Sequence, residues 1–260
     1  MLESSRKIVI KVGSNTLSDK DGFVNEKFIE ELCNQVSQLK QQGKEVIIVS
    51  SGAKVAGIST INKWSRKSDI NYKQALCAIG QVRLLGSYER CFEQHNIHIG
   101  QVLLTRDDFF IDSRVLNIRN TLFTLIDEGV VPIINENDTV CIKELQIGDN
   151  DTLAAYTATL WNADTLIILS DIDGLYNKNP KTDKDAKLVE LVEDVDSIIK
   201  DIEIGEANEF GTGGIKTKLD AAKICNDYEI SMILANGKID NIITKIYNNE
   251  IKYTLFKKCN

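Results

Sequence analysis

The fold is decided by the N-terminal stretch KIVIKVGSNT, residues 7–16, in which the β-branched run Lys7–Val12 meets the turn residues Gly13-Ser14-Asn15-Thr16. A short run rich in β-branched residues on both faces is typical of a buried strand in a parallel sheet. A glycine directly after the strand lets the backbone turn at the edge of the sheet. The stretch therefore predicts the first strand of an α/β fold, with Lys11 near its carboxyl end.

Working outward, five further apolar runs alternate with longer segments of helical periodicity. The runs are Glu45–Ser50, Ile97–Thr105, Val130–Asn135, Thr165–Ser170 and Glu229–Ala235, and the helical segments are Glu26–Gln42, Tyr72–Gln94, Asp112–Glu128, Asp151–Trp161 and Lys216–Asn226. The alternation predicts a three-layer αβα sandwich with a central, mainly parallel sheet. All six runs are predicted to be interior strands, because both of their faces are apolar.

The organisation of the 260 residues predicts one domain spanning 1–260, since no Pro-rich or Gly/Ser-rich linker divides them. Thr139–Leu145 alternates apolar and polar residues, which favours a small exposed hairpin. Asn177–Lys187 is polar and contains Pro180, so a surface loop is expected there.

Composition excludes several classes of protein. The formal net charge of −7 disfavours a nucleic-acid-coating protein, which needs a dense basic surface. The N-terminus has no signal-peptide pattern and no apolar run is long enough to span a bilayer, so a cytoplasmic protein without a membrane partner is expected. The six cysteines stand singly, which predicts free thiols, and with only two histidines we assign no metal-ligating residue.

Candidate binding residues lie directly after the strands, where α/β sheets hold their ligands. The first strand ends in Lys11 and Gly13, and the second in Ser51 and Gly52 before a helical segment. Taken singly, each glycine indicates a turn and the lysine a solvated cation. Their joint placement favours a phosphate site, because glycine loops and helix N-termini bind anions.

Two polar clusters follow the fourth strand: Asn135-Glu136-Asn137-Asp138 and Gly148-Asp149-Asn150-Asp151. Such residues cap helices and form turns, or they bind the ammonium group of an amino acid. Capping competes seriously for Asp149 and Asp151, but it does not account for both clusters. A ligand role is therefore favoured.

A third group combines Ser170-Asp171, after the fifth strand, with the loop Gly211-Thr212-Gly213-Gly214-Ile215-Lys216-Thr217-Lys218. The glycines permit close approach of backbone to ligand and the lysines add positive charge, although a flexible surface loop before a helix is the alternative. Neither a P-loop nor a dinucleotide-binding motif occurs, so those two folds are excluded.

Together these motifs resemble the glutamate 5-kinase branch of the amino acid kinase family, over Lys7 to about Ala235. The most specific matches are Lys11-Val12-Gly13-Ser14, Ser51-Gly52-Ala53, Gly100-Gln101-Val102-Leu103-Leu104-Thr105, Ile134-Asn135-Glu136-Asn137-Asp138, Gly148-Asp149-Asn150-Asp151 and Gly211-Thr212-Gly213-Gly214. The resemblance implies the amino acid kinase fold and ATP-dependent phosphorylation of the γ-carboxylate of L-glutamate, the first step of proline biosynthesis, with Mg²⁺. It also implies a homo-oligomer, dimer or tetramer, and a hand-off to glutamyl phosphate reductase.

The same resemblance implies roles for individual residues. Lys11 and Lys218 would stabilise the phosphoryl group in flight and Asp151 would orient both lysines. The acceptor would be held by Ser51, Asp138, Asn150, Asn135 and Asp149. The nucleotide would be held by Lys11, Gly13, Gly52, Ser170, Asp171, Thr212, Gly213, Gly214, Ile215, Lys216, Thr217 and Lys218. A carboxylate acceptor is already ionised at pH 7, which agrees with a site that has lysines and no histidine.

The sequence departs from the family pattern in two places. Ile215 and Lys216 stand where the family usually has methionine and a small residue. Many members also carry an additional C-terminal RNA-binding-like domain, for which no segment is expected here. The competing hypotheses are an acetylglutamate, carbamate or nucleoside monophosphate kinase, and a non-catalytic sensor of ATP or amino acid.

Overall fold

The computed structural model describes residues 2–61, 69–141, 150–180, 182–205 and 214–258, with the backbone alone for 201–205. Within these ranges the strands are β1 (Lys7–Val12), β2 (Glu45–Ser50), β3 (Ile99–Leu104), β4 (Val131–Glu136), β5 (Thr165–Ser170), β6 (Leu191–Val192), β7 (Ser231–Asn236) and β8 (Thr254–Phe256). The helices are α1 (Glu26–Gln41), α2 (Ala53–Ile61), α3 (Ile70–Glu93), α4 (Asp112–Asp127), α5 (Asp151–Trp161), α6 (Val195–Gly205), α7 (Gly214–Asp227) and α8 (Ile242–Tyr247), with a 3₁₀ helix at Arg106–Phe110.

The eight strands form one sheet in the order β3-β4-β2-β1-β5-β7-β8-β6. The first six strands of that order run parallel to one another, and β8 pairs antiparallel with β7. The carboxyl ends of β1, β2, β4, β5 and β7 therefore lie along one edge of the sheet, where the predicted ligand loops begin.

Apolar residues cover both faces of the sheet and make two separate cores. On one face, alternate strand residues such as Ile10 and Ile48 pack with α1, α2, α3 and α8. On the other face, residues of the opposite parity such as Val9 and Ile168 pack with α4, α5, α6 and α7. The parity follows from the strand geometry, in which successive side chains point to opposite faces. The predicted three-layer sandwich is confirmed.

The predicted strands and helices are all present, with bounds that shift by up to two residues. One assignment was wrong: β3 is an edge strand, with Gln101 exposed and Leu103 about one-third exposed, whereas an interior strand was predicted. Its apolar residues divide between the two cores, with Ile99 on the α3 side and Val102 and Leu104 on the α4 side, while Leu103 remains partly exposed. The helical segment predicted after Gly52, without bounds, is α2, whereas the helices α6 and α8 and the strands β6 and β8 were not predicted.

Other predictions about the chain have mixed outcomes. The described residues of Asn177–Lys187 form a loop, closed by the bridge between Tyr176 and Leu188. Thr139–Leu145 lies mostly outside the described residues. Five of the cysteines are described and none of them forms a disulfide. In the part of the chain that the structure describes, no helix has the length and apolarity needed to cross a bilayer.

The crossing of α2 and α3 depends on two glycines that let the helix backbones touch. A Cβ atom at Gly80 would lie 1.8 Å from the carbonyl oxygen of Ala53, and one at Gly57 would lie 2.0 Å from that of Leu76. We expect Gly80→Ala to lower the free energy of unfolding by about 2–3 kcal/mol, because the clash is with backbone and not with a movable side chain. Urea denaturation followed by circular dichroism measures this change.

Gly86 on the same helix is the matched control. A Cβ there meets only the tip of the Arg90 side chain, at 3.4 Å. Gly86→Ala should therefore stabilise the protein by about 0.5–1 kcal/mol, the usual gain for removing a mid-helix glycine. Equal effects of the two substitutions would contradict the close crossing. Because Ala53 directly follows Ser51 and Gly52, this crossing also fixes the position of their loop.

Candidate active site

Two lysines converge on one buried carboxylate at the carboxyl edge of the sheet. The Nζ atom of Lys11 lies 2.6 Å from Oδ1 of Asp151, and Nζ of Lys218 lies 3.0 Å from Oδ2. All three side chains are more than nine-tenths buried, and that of Asp151 is fully so. We call these residues the lysine–aspartate triad. With two ammonium groups and one carboxylate, the triad itself carries a net charge of +1, which suits an anionic ligand.

Each member of the triad is placed by the element that carries it. The Lys11 side chain points to the face of the sheet covered by α5 and α7, because its neighbours Ile10 and Val12 point to the opposite core. Asp151 begins α5, where the positive end of the helix dipole stabilises a carboxylate. Lys218 lies one turn into α7 and its Nζ also donates to the carbonyl oxygen of Gly214, at 3.1 Å.

From the sequence, Asp151 could be either a helix cap or a ligand residue, and in the structure it is not the cap. The N-cap of α5 is Asn150, which makes no side-chain capping hydrogen bond, while Asp151 turns to the lysines. The Thr217 hydroxyl donates to Oδ2 of Asp151, at 3.1 Å. Thr217, expected at the nucleotide, therefore also helps to hold the triad carboxylate.

A cavity of about 80 Å³ opens beside the triad between the loops that follow β1 and β5. We call it the triad cavity; its lining is Lys11, Gly13, Ser14, Asn15, Thr16, Ser170, Asp171 and Lys218. The N–H group of Gly13 donates to the carbonyl oxygen of Leu169, at 3.2 Å, so this N–H is engaged within the protein. A Cβ at Gly13 would lie 3.6 Å from Nζ of Lys11, an ordinary van der Waals contact.

Asp171 is held at the mouth of the triad cavity. Its Oδ2 accepts a hydrogen bond from Nδ2 of Asn15, at 3.0 Å, and its Oδ1 accepts one from the Ser170 hydroxyl, at 3.3 Å. Partial burial acts to raise the pKa of Asp171, but the hydrogen bonds from Asn15 and Ser170 outweigh it and lower the pKa below the ordinary value. The side chain is therefore anionic at neutral pH.

The loop after β2 joins the same edge through Gly52. Its φ of +98° is a left-handed backbone conformation that favours glycine, and a Cβ there would crowd the Leu17 side chain at 3.1 Å. The N–H of the neighbouring Ser51 donates to the carbonyl oxygen of Val12, at 3.0 Å. The loops after β1 and β2 are therefore packed together, as their joint prediction required.

A chain of buried amides connects β4 with the start of α5 and with α3. Nδ2 of Asn150 donates to Oδ1 of Asn135, at 2.7 Å, and Nδ2 of Asn135 donates to Oε1 of Gln81, at 2.8 Å. The same Oδ1 of Asn135 accepts the N–H of Glu136, at 2.8 Å. Farther along the loop, Nε2 of Gln74 holds the carbonyl oxygen of Asp138, at 3.1 Å. Asn135, Asn150 and Asp138 thus belong to one supported region.

Two carboxyl groups of that region have raised pKa values. Burial raises the pKa of Asp138 from 3.8 to about 6, against a hydrogen bond with the Cys77 thiol and the charge of Lys54. Burial raises the pKa of Glu136 from 4.5 to about 7, and the charge of Asp138 adds to the effect. The folded state therefore binds more protons than the unfolded state, and these groups contribute stability that is lost as the pH rises from about 4 to 7.

The structure brings some of the predicted site residues together at the triad cavity and places others elsewhere. Ile215 packs against the core and Lys216 is exposed, so neither lines the triad cavity. Asp149, Thr212 and Gly213 lie outside the described residues. Three interactions were not predicted from the sequence: the hydrogen bonds of Asn15 and Gln81, and the effect of the Lys54 charge on Asp138. For Lys54 a signal existed, because it directly follows Ser51-Gly52-Ala53.

Comparisons with known proteins agree with this geometry. Residues 6–236 match the model of the amino acid kinase family. The glutamate 5-kinase of Alkaliphilus oremlandii is 64% identical over 98% of this chain and 97% of its own length. That of Alkaliphilus metalliredigens is 60% identical over 99% and 97%. The glutamate 5-kinase of Caldanaerobacter subterraneus is 46% identical over 96% of this chain, which spans 67% of that longer protein.

Solved structures with low sequence identity share the fold. A UMP kinase from Ureaplasma parvum superposes with a TM-score of 0.67 at 18% identity, covering 96% of this chain and 97% of its own. A carbamate kinase from Giardia lamblia bound to AMP-PNP gives a TM-score of 0.67 at 16% identity, covering 99% and 100%. At these identities the likeness concerns the architecture alone.

Proposed function

The chain belongs to the amino acid kinase family, and on that premise we propose that it transfers the γ-phosphoryl group of ATP to the γ-carboxylate of L-glutamate. The products are L-glutamyl 5-phosphate and ADP, and the reaction is the first step of proline biosynthesis. The observation that carries the proposal is the lysine–aspartate triad beside a cavity between the β1 and β5 loops. The choice of glutamate is supported by relatives of that name at up to 64% identity over nearly the whole chain.

The reaction needs positioning and charge neutralisation rather than proton transfer. A γ-carboxylate oxygen attacks the γ-phosphorus, the bond from that phosphorus to the β,γ-bridging oxygen breaks, and ADP leaves with the electron pair. Because the acceptor is already ionised at pH 7, no general base is required. Lys11 and Lys218 neutralise the charge on the transferring phosphoryl group, and Asp151 fixes both ammonium groups in their positions.

Magnesium fits the same region because Ser14, Thr16, Ser170 and Asp171 line the cavity with oxygen-bearing side chains. A hard cation that keeps several waters suits such a lining. Among the described residues, Asp171 is the acidic side chain on the cavity wall and would hold a water of the ion. When bound with the nucleotide, Mg²⁺ supplies charge neutralisation at the phosphates.

The acceptor is held on the β2 and β4 side of the triad. Ser51, Asn150 and Asp138 contact L-glutamate, with Asp138 pairing with its α-ammonium group, and Asn135 supports Asn150. Asp149 adds to this region. The nucleotide lies on the β5 and α7 side, over Gly13, Ser170 and Asp171, with Gly52, Thr212–Gly214, Thr217 and Lys218 closing around it.

A hydroxamate assay tests the proposal directly. With ATP, Mg²⁺, hydroxylamine and L-glutamate, the acyl phosphate is trapped as a glutamyl hydroxamate. Parallel reactions replace L-glutamate by N-acetyl-L-glutamate, carbamate or UMP, and ADP release is followed in each. Turnover of one of these acceptors without turnover of L-glutamate would refute the proposed substrate.

Acid weakens acceptor binding if Asp138 pairs with the ammonium group. We expect kcat/KM for L-glutamate to rise with pH and to level off above an apparent pKa of about 6, because Asp138 must be ionised. Asp138→Asn should remove this step and lower kcat/KM at pH 8 by about one to two orders of magnitude. Initial rates between pH 5 and 8, with ATP saturating, measure the profile.

The matched control for that profile is Glu136→Gln. It removes the neighbouring carboxyl but leaves Asp138, so the step near pH 6 must persist. Titration of the nucleotide phosphates is common to all three proteins and cancels when their profiles are compared. A step of the same size in Asp138→Asn would show that Asp138 is not the titrating group.

The partner proposals are a homo-oligomer, dimer or tetramer, and transfer of the product to glutamyl phosphate reductase. Exposed apolar residues support a second copy as partner, because they gather around the edge strand β3, on α3, the 3₁₀ helix and α4. They are Ile79, Val82, Leu103, Phe110, Ile111 and Leu116. Hand-off to a reductase follows from the chemistry, since an acyl phosphate hydrolyses readily and must be consumed quickly.

A further inference from the structure

Gln81 is a buried polar residue on the inner face of α3, where its neighbours Cys77 and Leu84 are apolar. Its Oε1 accepts a hydrogen bond from Asn135, but its Nε2 is buried and has no acceptor among the described residues. Leaving a buried N–H group unpaired carries a desolvation cost. An apolar residue would avoid that cost, so packing alone does not explain the glutamine.

One backbone N–H sets the direction of the whole amide chain. The N–H of Glu136 can only donate, so the atom of Asn135 that faces it must be the carbonyl oxygen Oδ1. The amide nitrogen of Asn135 then faces Gln81, which must present Oε1. The same Oδ1 receives the amide nitrogen of Asn150. None of these three amides can be turned over without setting two donors or two acceptors against each other.

Because Asn150 uses its Nδ2 to donate to Asn135, its carbonyl oxygen Oδ1 is left to accept a hydrogen bond from a ligand. Asn150 is the N-cap of α5, where an Asn side chain ordinarily accepts a helix N–H, but it makes no such bond. Among the described residues nothing donates to this oxygen, and Asn150 directly precedes the triad carboxylate Asp151. It is an acceptor held in one orientation, of the kind that pairs with an ammonium group.

We propose that Gln81 is a positioning residue for acceptor selectivity: through Asn135 it holds the Asn150 side chain with its carbonyl oxygen toward the α-ammonium of the amino acid acceptor. This proposal rests on the proposed function and extends it to a residue on α3. Without Gln81, Nδ2 of Asn135 loses its buried acceptor, so only the Glu136 N–H still anchors the Asn135 amide, and Asn135 holds the Asn150 side chain less firmly. The site then loses its preference for an acceptor that carries an ammonium group.

The test compares L-glutamate with glutarate, which has both carboxylates but no ammonium group. Gln81→Met keeps the side-chain length and removes the amide. We expect its Kd for L-glutamate to rise about tenfold, the loss of one hydrogen bond to a charged group, while its Kd for glutarate changes by less than about twofold. KM for ATP should stay unchanged. Calorimetry gives both Kd values, and Gln94→Met, an exposed change at the end of α3, is the control.

A second measurement uses the unsubstituted protein. In the absence of ligand, the side-chain amide protons of Asn150 should exchange slowly with solvent, and Gln81→Met should accelerate that exchange. Equal weakening of L-glutamate and glutarate, or fast exchange in the unsubstituted protein, would overturn the proposal. Turnover of L-glutamate by the unsubstituted protein is scored separately, so failure of the proposed function is distinguished from failure of the positioning role.

Discussion

Replacing Lys218 by methionine lowers kcat for L-glutamate phosphorylation by about a thousandfold, the usual loss when one preorganised donor to the transition state is removed. Kd for L-glutamate stays within about twofold, because the ammonium acts on the phosphoryl group and not on the acceptor. The substitution preserves the length of the side chain and removes its charge. Single-turnover kinetics measure the chemical step, and calorimetry measures acceptor binding.

Lys216→Met is the matched control for this experiment. Lys216 lies two residues earlier on α7, is exposed and does not line the triad cavity. We expect its kcat to remain within about threefold of the unsubstituted value, since a solvated cation at the surface contributes little. If the protein were a sensor that binds ATP without turnover, the unsubstituted protein would already have no measurable kcat. Full activity of Lys218→Met would remove Lys218 from the mechanism.

The fold could be predicted because each strand carries its own signal. The runs Lys7–Val12, Glu45–Ser50 and Thr165–Ser170 have the predicted bounds, since each is rich in apolar β-branched or leucine residues and is ended by Gly or Ser. The edge position of β3 could not be predicted, because the sequence of a strand does not state how many neighbours it has. The order β3-β4-β2-β1 is set by the way the connections cross over the sheet, and the strand sequences do not encode it locally.

Most of the missed elements are short, whereas α6 has a one-sided apolar pattern from which it could have been predicted. Helix α2 has only nine residues and begins directly after Gly52, so the sequence indicated a helical segment there without its bounds. The strands β6 and β8 have two and three residues and exist because they pair with each other and with β7. The strands β6 and β8 form because they pair with neighbouring strands, and this pairing cannot be predicted from their own short sequences.

The candidate site was predictable in its residue types but not in its connections. Lys11 and Lys218 stood out as cations in glycine-rich loops. That one carboxylate, Asp151, bridges them depends on the approach of α5 and α7 to β1, more than a hundred residues apart in sequence. Gln81 gave no signal, because a glutamine within a long helix resembles a solvent-facing residue until its burial is known.

The second large effect is expected for Asp151→Asn. It removes the carboxylate that both buried lysines share, and taking one partner from a buried ion pair costs about 3–5 kcal/mol. The change in shape is negligible, so the free energy of unfolding reports the lost charge together with the hydrogen-bond acceptor that the amide NH2 group replaces. We also expect kcat to fall by about a thousandfold or more, because the two ammonium groups separate and no longer meet the phosphoryl group together. Urea denaturation at pH 7 and initial rates measure the two effects.

The pH dependence of stability separates this explanation from a packing defect. In Asp151→Asn, the two buried ammonium groups lie close together with no carboxylate between them, which disfavours their charged forms in the folded state. The folded variant then binds fewer protons than the unfolded variant, so its stability rises with pH. The deficit should shrink between about pH 7 and 10. A deficit that is independent of pH would indicate lost packing instead.

The double variant Asp151→Asn/Lys218→Met tests whether charge repulsion between the two lysines, and not lost packing, destabilises Asp151→Asn. Removing one lysine relieves the repulsion, so the double variant should recover part of the stability of Asp151→Asn, with no recovery of activity. Asp220→Asn, an exposed carboxylate on α7, is the control and should change neither quantity. If the double variant is less stable than both single variants, the three groups do not act as one charge cluster. Recovery of stability without activity would instead show that the buried positive charge serves phosphoryl transfer and is a cost to folding, which Asp151 offsets.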